Sequence, residues 1–282
     1  MQQNLETFLG CDNSYEESSI VIFGAPFDST TSYRPGTRFA SKKMRSESYG
    51  LETYSPALDL DLEDESVKIF DAGDIELPFG DPTQALKMLE DFSTKILTDK
   101  KIPLMIGGEH LVSLSGIRAT NKFFENLSIV HFDAHTDLRD EYLGVKFSHA
   151  TVIRRAWDLL GDGKIFQFGI RSGLREEFQF AKNHTSLQKF DFTNLEKVYG
   201  KRVYLTIDLD VLDPSIFPGT GTPEPGGVSF LDLLKATMNV IKNCDVIACD
   251  LVELSPPYDS SGISTAVANK ILREILLALS MK

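Results

Sequence analysis

Four aspartates and three histidines gather in three short runs, each at the end of an apolar, strand-like stretch. HFDAHTD spans 131–137, IDLD spans 207–210 and IGGEH spans 106–110. Asp133, His135 and Asp137 recur at i, i+2 and i+4. On an extended chain they would share one face, with about 6.6 Å between successive members. Asp208 and Asp210 repeat the i, i+2 spacing, and Leu212 ends that series. Asp213 falls out of register before Pro214, which is expected to close the strand in a rigid turn. His110 adds an imidazole from the third run. Carboxylates and imidazoles at strand mouths are what a pair of divalent cations would need. Two carboxylates about 4 Å apart repel by ~4 kcal/mol at an effective dielectric near 20, so four together call for cations. Two divalent ions would balance four aspartates. No cysteine lies in these runs, and an oxygen-rich set with imidazoles suits Mn²⁺ or a similar ion better than a thiolate zinc site. Two such ions about 3.5–4 Å apart would acidify a shared water and give hydroxide near neutral pH.

Short apolar runs are the elements that must position these residues. They lie at 20–25, 67–73, 102–108, 127–133, 164–170, 202–208 and 246–252, with an eighth expected near 187–190. Each is apolar on both faces, as strands of a covered parallel sheet are. Amphipathic, helix-like stretches at 82–98, 148–160 and 229–243 alternate with them, and an apolar one at 266–279 closes the chain. Such alternation predicts right-handed βαβ crossovers and an α/β fold. The expected architecture is a three-layer α/β/α sandwich around a mostly parallel sheet of about eight strands. No linker, repeat or low-complexity tract interrupts it, so residues 1–282 are expected to form a single domain. The loops at 107–110, 133–149, 170–175, 208–227 and 253–262 follow strands, and open α/β sheets bind ligands at the carboxyl ends of their strands.

Charge narrows the partners. The 29 Lys and Arg against 41 Asp and Glu give a net charge of −12. Neither nucleic acid nor an anionic membrane is expected as a partner, because both call for a basic surface. The first residues contain no cationic segment followed by an apolar one, and no apolar run reaches transmembrane length. Cys11, Cys244 and Cys249 form no CxxC pair. Reduced thiols and a cytoplasmic location are the expectation.

Several blocks together resemble the signature blocks of the ureohydrolase family, which includes arginases and agmatinases. They are GGEH (107–110), HFDAHTD (131–137), TIDLDVLDPSIFPGTGTPEPGG (206–227) and DLVELSPPYD (250–259). The RPGTR segment within 24–45 and the stretch 71–82 resemble the agmatinase branch. Ala40–Ser41 stands where many relatives carry Gly-Pro, far from the metal motifs. The resemblance implies a binuclear manganese centre. One ion would be held by His110, Asp133, Asp137 and Asp208, the other by Asp133, His135, Asp208 and Asp210, with Asp133 and Asp208 bridging. Asp137 would also orient the hydroxide. It further implies that His149 carries protons to the leaving amine, for which an unperturbed pKa near 6.5 is suitable. Glu253 would grip the substrate guanidinium, with Thr222 nearby. A ring-like homotrimer or hexamer is implied as well. His131, set back in its strand, reads as a structural histidine, and His184 as a surface one.

The implied reaction is hydrolysis of a small cationic guanidino substrate to urea and an amine. The segment 138–149, LRDEYLGVKFSH, lacks the Asn and Ser/Thr side chains with which arginases recognise the amino-acid end. That favours agmatine, whose distal ammonium Glu141 or Asp140 could attract. An inward Arg139 would instead suit guanidinobutyrate; guanidinopropionate and arginine are the further alternatives. A single-zinc deacetylase would call for a paired-histidine arrangement, and no His-His pair occurs among the five histidines. An inactive relative serving as a structural or regulatory oligomer would have little use for His149, Glu253 and six ligands.

Overall fold

A computed structural model describes Met1 and residues 6–282. Its centre is an eight-stranded sheet in the order β4-β1-β5-β10-β9-β6-β7-β8, in which every pairing is parallel. The strands are β1 (Ile20–Gly24), β4 (Ile69–Asp74), β5 (Ile102–Ile106), β6 (Ser128–Phe132), β7 (Ile165–Ile170), β8 (Ser186–Lys189), β9 (Arg202–Asp208) and β10 (Asp245–Val252). A short antiparallel pair, β2 (Tyr54–Ser55) with β3 (Leu60–Asp61), stands apart.

Two apolar clusters sandwich the sheet, and the side chains of each strand alternate between them. Ile20 and Ile22 enter one cluster and Val21 and Phe23 the other; Val203, Leu205 and Ile207 likewise lie opposite Tyr204. This two-sided burial explains why the strands are apolar throughout. The first cluster is covered by α1 (Ala40–Ser48), α6 (Phe230–Asn243) and α7 (Ile263–Ser280). The second is covered by α2 (Pro82–Thr98), α3 (Ser113–Phe123), α4 (Val152–Leu160) and α5 (Arg175–His184). The result is a three-layer α/β/α sandwich. No helix among the described residues is long and apolar enough to cross a membrane. The three cysteines are free and buried.

Three helices, α1, α3 and α5, carry no expectation from sequence pattern. The buried face of α3 consists largely of Ser113, Ser115, Gly116, Ala119 and Thr120 instead of large apolar residues. The cause is close packing: a Cβ on Gly116 would lie 2.2 Å from the Tyr204 hydroxyl. On α1 the buried face carries Arg45, paired with Asp71 and Asp74. The last helix begins three residues earlier than its apolar pattern, because the Asp259 carboxylate accepts the Ser264 amide (2.7 Å) and caps the first turn.

Strand order decides where the chemistry gathers. β5, β10, β9 and β6 are neighbours in the middle of the sheet. Because they run parallel, their carboxyl ends share one edge, and His110, Glu253, Asp208 and Asp133 follow or end these four strands side by side.

Candidate metal centre and active site

The ligand candidates converge by turning, which corrects the extended-strand expectation. β6 stops at Phe132 and β9 at Asp208. Asp133 Oδ1 accepts the His135 amide, and Asp208 Oδ1 accepts the Asp210 amide (2.8 Å), so each run curls back through its own first carboxylate. Asp137 has a φ of 52° in the left-handed region. A straight strand would have carried Asp137 about 13 Å from Asp133.

His110 Nδ1 stands 3.0 Å from Asp133 Oδ2, 3.2 Å from Asp137 Oδ2 and 3.2 Å from Asp208 Oδ2. His135 Nδ1 stands 3.4 Å from Asp133 Oδ1 and 3.0 Å from Asp210 Oδ2. Asp133 therefore turns one oxygen to each imidazole. Candidate ligand atoms of Asp133, His135 and Asp210 lie within 4.8 Å of one another, as do those of His110, His131, Asp133 and Asp137. His131 is the exception among them, because both of its ring nitrogens are engaged. The Gln167 amide, oriented by its bond to the Thr136 carbonyl (2.8 Å), donates to His131 Nδ1 (3.1 Å). His131 Nε2 then donates to Asp133 Oδ2 (2.7 Å), so the ring orients a ligand candidate and offers no lone pair of its own.

His110 has the opposite arrangement. Its Nε2 lies 3.0 Å from Thr206 Oγ1, whose hydroxyl donates to Asp250 Oδ1 (2.6 Å), while Tyr204 Oη donates to Asp250 Oδ2 (2.6 Å). This relay makes Nε2 the protonated nitrogen. Nδ1 is left without a hydrogen-bond partner though wholly buried. Once deprotonated, this nitrogen among three carboxylate oxygens would offer its lone pair to a cation.

The electrostatics agree. Burial, then Asp210 and Asp133, hold the Asp208 carboxyl well above its usual range. Burial and Asp133 push Asp137 up to about 7. Burial pulls His110 down, but Asp133, Asp137 and Asp208 outweigh it and hold that imidazole well above its ordinary value. Buried carboxyls that resist ionising beside one another are groups whose crowding a cation would relieve.

His110, His135, Asp137 and Asp208 line a cavity of about 340 Å³ together with Glu253, His149 and Thr222. Glu253 is buried, has a φ of 65° and accepts the His110 amide through Oε1 (2.7 Å). Burial raises its pKa well above the carboxylate range. Thr222 Oγ1 donates to Asp210 Oδ2 (3.3 Å). His149 opens the turn leading into α4; its Nδ1 donates to the Thr30 carbonyl (3.0 Å) and its Nε2 lies 3.4 Å from Ser32 Oγ. Burial draws His149 down to about 4, so the ring is neutral at pH 7, unlike the unperturbed histidine expected.

Glu141 departs from its expected position: it is exposed and stands outside the cavity lining. Asp140 is tied to Arg155 (2.7 Å). Arg139 does line the cavity, stacked 4.4 Å over the Tyr142 ring with Nε 3.6 Å from Glu177 Oε2. His184 is half-buried, paired with Asp162 (2.7 Å) and stacked on Phe180. Glu177 is a site residue that sequence pattern does not reveal. Its Oε1 accepts both Thr136 Oγ1 (2.6 Å) and the Leu138 amide (2.9 Å), clamping the two neighbours of strained Asp137.

Residues 18–278 match the model of the arginase family. The chain belongs to the arginase family. An agmatinase from Halalkalibacterium halodurans is 47% identical over 279 residues, covering 96% of each chain. A solved structure from Clostridium difficile, provisionally described as an agmatinase, superimposes with a TM-score of 0.91 at 54% identity, covering 95% of this chain and 99% of its own. A guanidinobutyrase from Pseudomonas aeruginosa is 36% identical, covering 92% of this chain and 86% of its own. This arginase-family chain is thus an agmatinase-like enzyme, and its ligand candidates lie where the parallel sheet delivers them.

Proposed function

We propose that this enzyme hydrolyses agmatine to urea and putrescine with two Mn²⁺ ions held by His110, Asp133, His135, Asp137, Asp208 and Asp210. The observation that carries the reading is the convergence of the aspartate and histidine candidates at one cavity whose wall also carries the buried Glu253 carboxyl. When bound, two divalent ions neutralise the four aspartates and lower the pKa of water enough to supply a nucleophile near neutral pH.

The protein groups do the rest. A guanidinium against Glu253 would let that carboxylate ionise, and the charge-assisted contact would turn the central carbon toward the ligand set. Thr222, fixed on Asp210, borders the same space. Asp137 orients the attacking water. In the overall balance, guanidinium and water give urea and a primary ammonium, so the leaving nitrogen gains two protons, both from the attacking water. His149, neutral at rest with its Nε2 lone pair toward the cavity, can take up a proton and deliver it to that nitrogen.

A second reading, hydrolysis of guanidinobutyrate, draws on Arg139 in the cavity wall. Glu177 counters the Arg139 charge, however, which favours a cationic tail over a carboxylate. The relatives named agmatinase also support agmatine. Urea release from agmatine, guanidinobutyrate, guanidinopropionate and arginine tests the choice. Agmatine should have the highest kcat/KM; a preference for arginine or guanidinobutyrate would overturn the substrate assignment and leave the reaction class intact.

A further inference from the structure

Glu109 sits inside the GGEH run, directly before His110, yet the metal chemistry assigns it nothing. Its side chain is wholly buried and turns toward the loop between β1 and α1. There its carboxylate accepts the Thr30 amide (2.9 Å), the Thr31 hydroxyl (3.0 Å) and the Thr30 hydroxyl. The backbone joins in: the Glu109 amide donates to the Phe27 carbonyl (2.8 Å). The approach is so close that a Cβ on Gly108 would lie 1.9 Å from the Phe27 oxygen, which explains the glycine there.

Thr30 in turn holds His149. Its carbonyl accepts His149 Nδ1 (3.0 Å), and its hydroxyl lies 3.3 Å from the His149 amide. A carbonyl oxygen only accepts, so Nδ1 must carry the ring proton and Nε2 must carry the lone pair. Nε2 is the atom beside Ser32 at the cavity. Residues 79 and 119 positions apart in sequence are thereby joined in one line, Glu109 to Thr30 to His149.

We propose that Glu109 is a positioning residue that fixes the tautomer and orientation of His149 by anchoring Thr30. It does not touch substrate or bind metal. The proposal deepens the reading of His149 as the proton carrier and rests on it.

Glu109→Gln keeps the side chain's shape but exchanges one acceptor oxygen for a donor, and Thr30→Val removes the hydroxyl link while leaving Glu109 in place. In Mn²⁺-loaded protein each should lower kcat for agmatine by about tenfold or more, part of the roughly 10²–10⁴ a proton-transferring residue contributes. KM and metal content should stay at the wild-type level. Introduced into His149→Ala, neither change should cost further activity. The ¹⁵N shifts of labelled His149 in the metal-free full-length chain should report a single Nδ1–H tautomer, and a mixture in both variants. Losses that multiply with His149→Ala, a drop in bound metal, or an unaltered tautomer would overturn the proposal. If the wild type released no urea from any guanidine, the functional reading would fall, and the tautomer shifts would still decide whether Glu109 positions His149.

Discussion

Thr206→Val removes one hydroxyl from the relay behind His110 and nearly preserves volume. Thr206 and Asp250 are buried on the β9 and β10 strands, with 2.6 Å between hydroxyl and carboxylate and 3.0 Å between hydroxyl and His110 Nε2. A hydrogen bond to a charged group contributes about 1.5–3 kcal/mol, and Asp250 would keep the Tyr204 and Ser113 hydroxyls. Removing an outer partner of a metal-ligating histidine typically lowers metal affinity about 10–100-fold, which corresponds to roughly 1.4–2.7 kcal/mol. The two losses are separable. The fold loses the bond to Asp250, whereas metal binding loses the constraint that presents His110 Nδ1 as a lone pair. Chelator competition gives the Mn²⁺ affinity, and a melt of the metal-free protein gives the stability. Both should fall. Affinity within about twofold of wild type, in a variant whose metal-free fold is destabilised, would refute the claim that the relay acts on the metal site.

Two further outcomes follow from the same geometry. Glu253→Gln should lower kcat/KM for agmatine by about 10–100-fold through loss of a charge-assisted contact, with two ions still bound per chain; an unchanged KM and kcat would exclude Glu253 as the guanidinium partner. The metal-free chain should also respond to pH through Asp137. Its folded pKa is pushed to about 7 by burial and Asp133, against an unfolded value near 3.9. The folded state therefore binds the extra proton between those values, and this stabilising contribution is lost as pH rises through about 7. Metal needs the ionised carboxylate, so the rise in Tm on adding Mn²⁺ should be larger at pH 8 than at pH 5.5. A gap that narrows with rising pH would contradict the assignment.

The strands and the ligand runs were legible because each has a local signature. Burial on both faces makes strands such as β9 and β10 continuously apolar, and clustered aspartates at their ends stand out against them. Helices whose buried faces are small or polar were not legible: α3 packs Ser, Gly and Ala under Tyr204, and α1 buries Arg45 against two aspartates. How the candidate ligands converge was hidden for a different reason. Spacing alone suggested an extended stride, whereas Asp133 and Asp208 each accept an amide two residues on and curl the chain. Of the supporting residues, Thr206 and Asp250 did leave a trace. Thr206 shares parity with Asp208, and Asp250 is a charge inside the apolar run VIACDLV. Glu177 and Thr30 left none, since their roles depend on elements brought together only by the fold. The exposure of Glu141 was hidden for the same reason, because sequence position near the site does not tell which way a loop residue faces.

Urea release during metal reconstitution tests the central claim most directly. Protein stripped by chelator should release no urea from agmatine, and activity should rise with added Mn²⁺ to a plateau at two ions per chain. Urea release that survives stripping, or none from any guanidine with two ions bound, would contradict a binuclear guanidinium hydrolase.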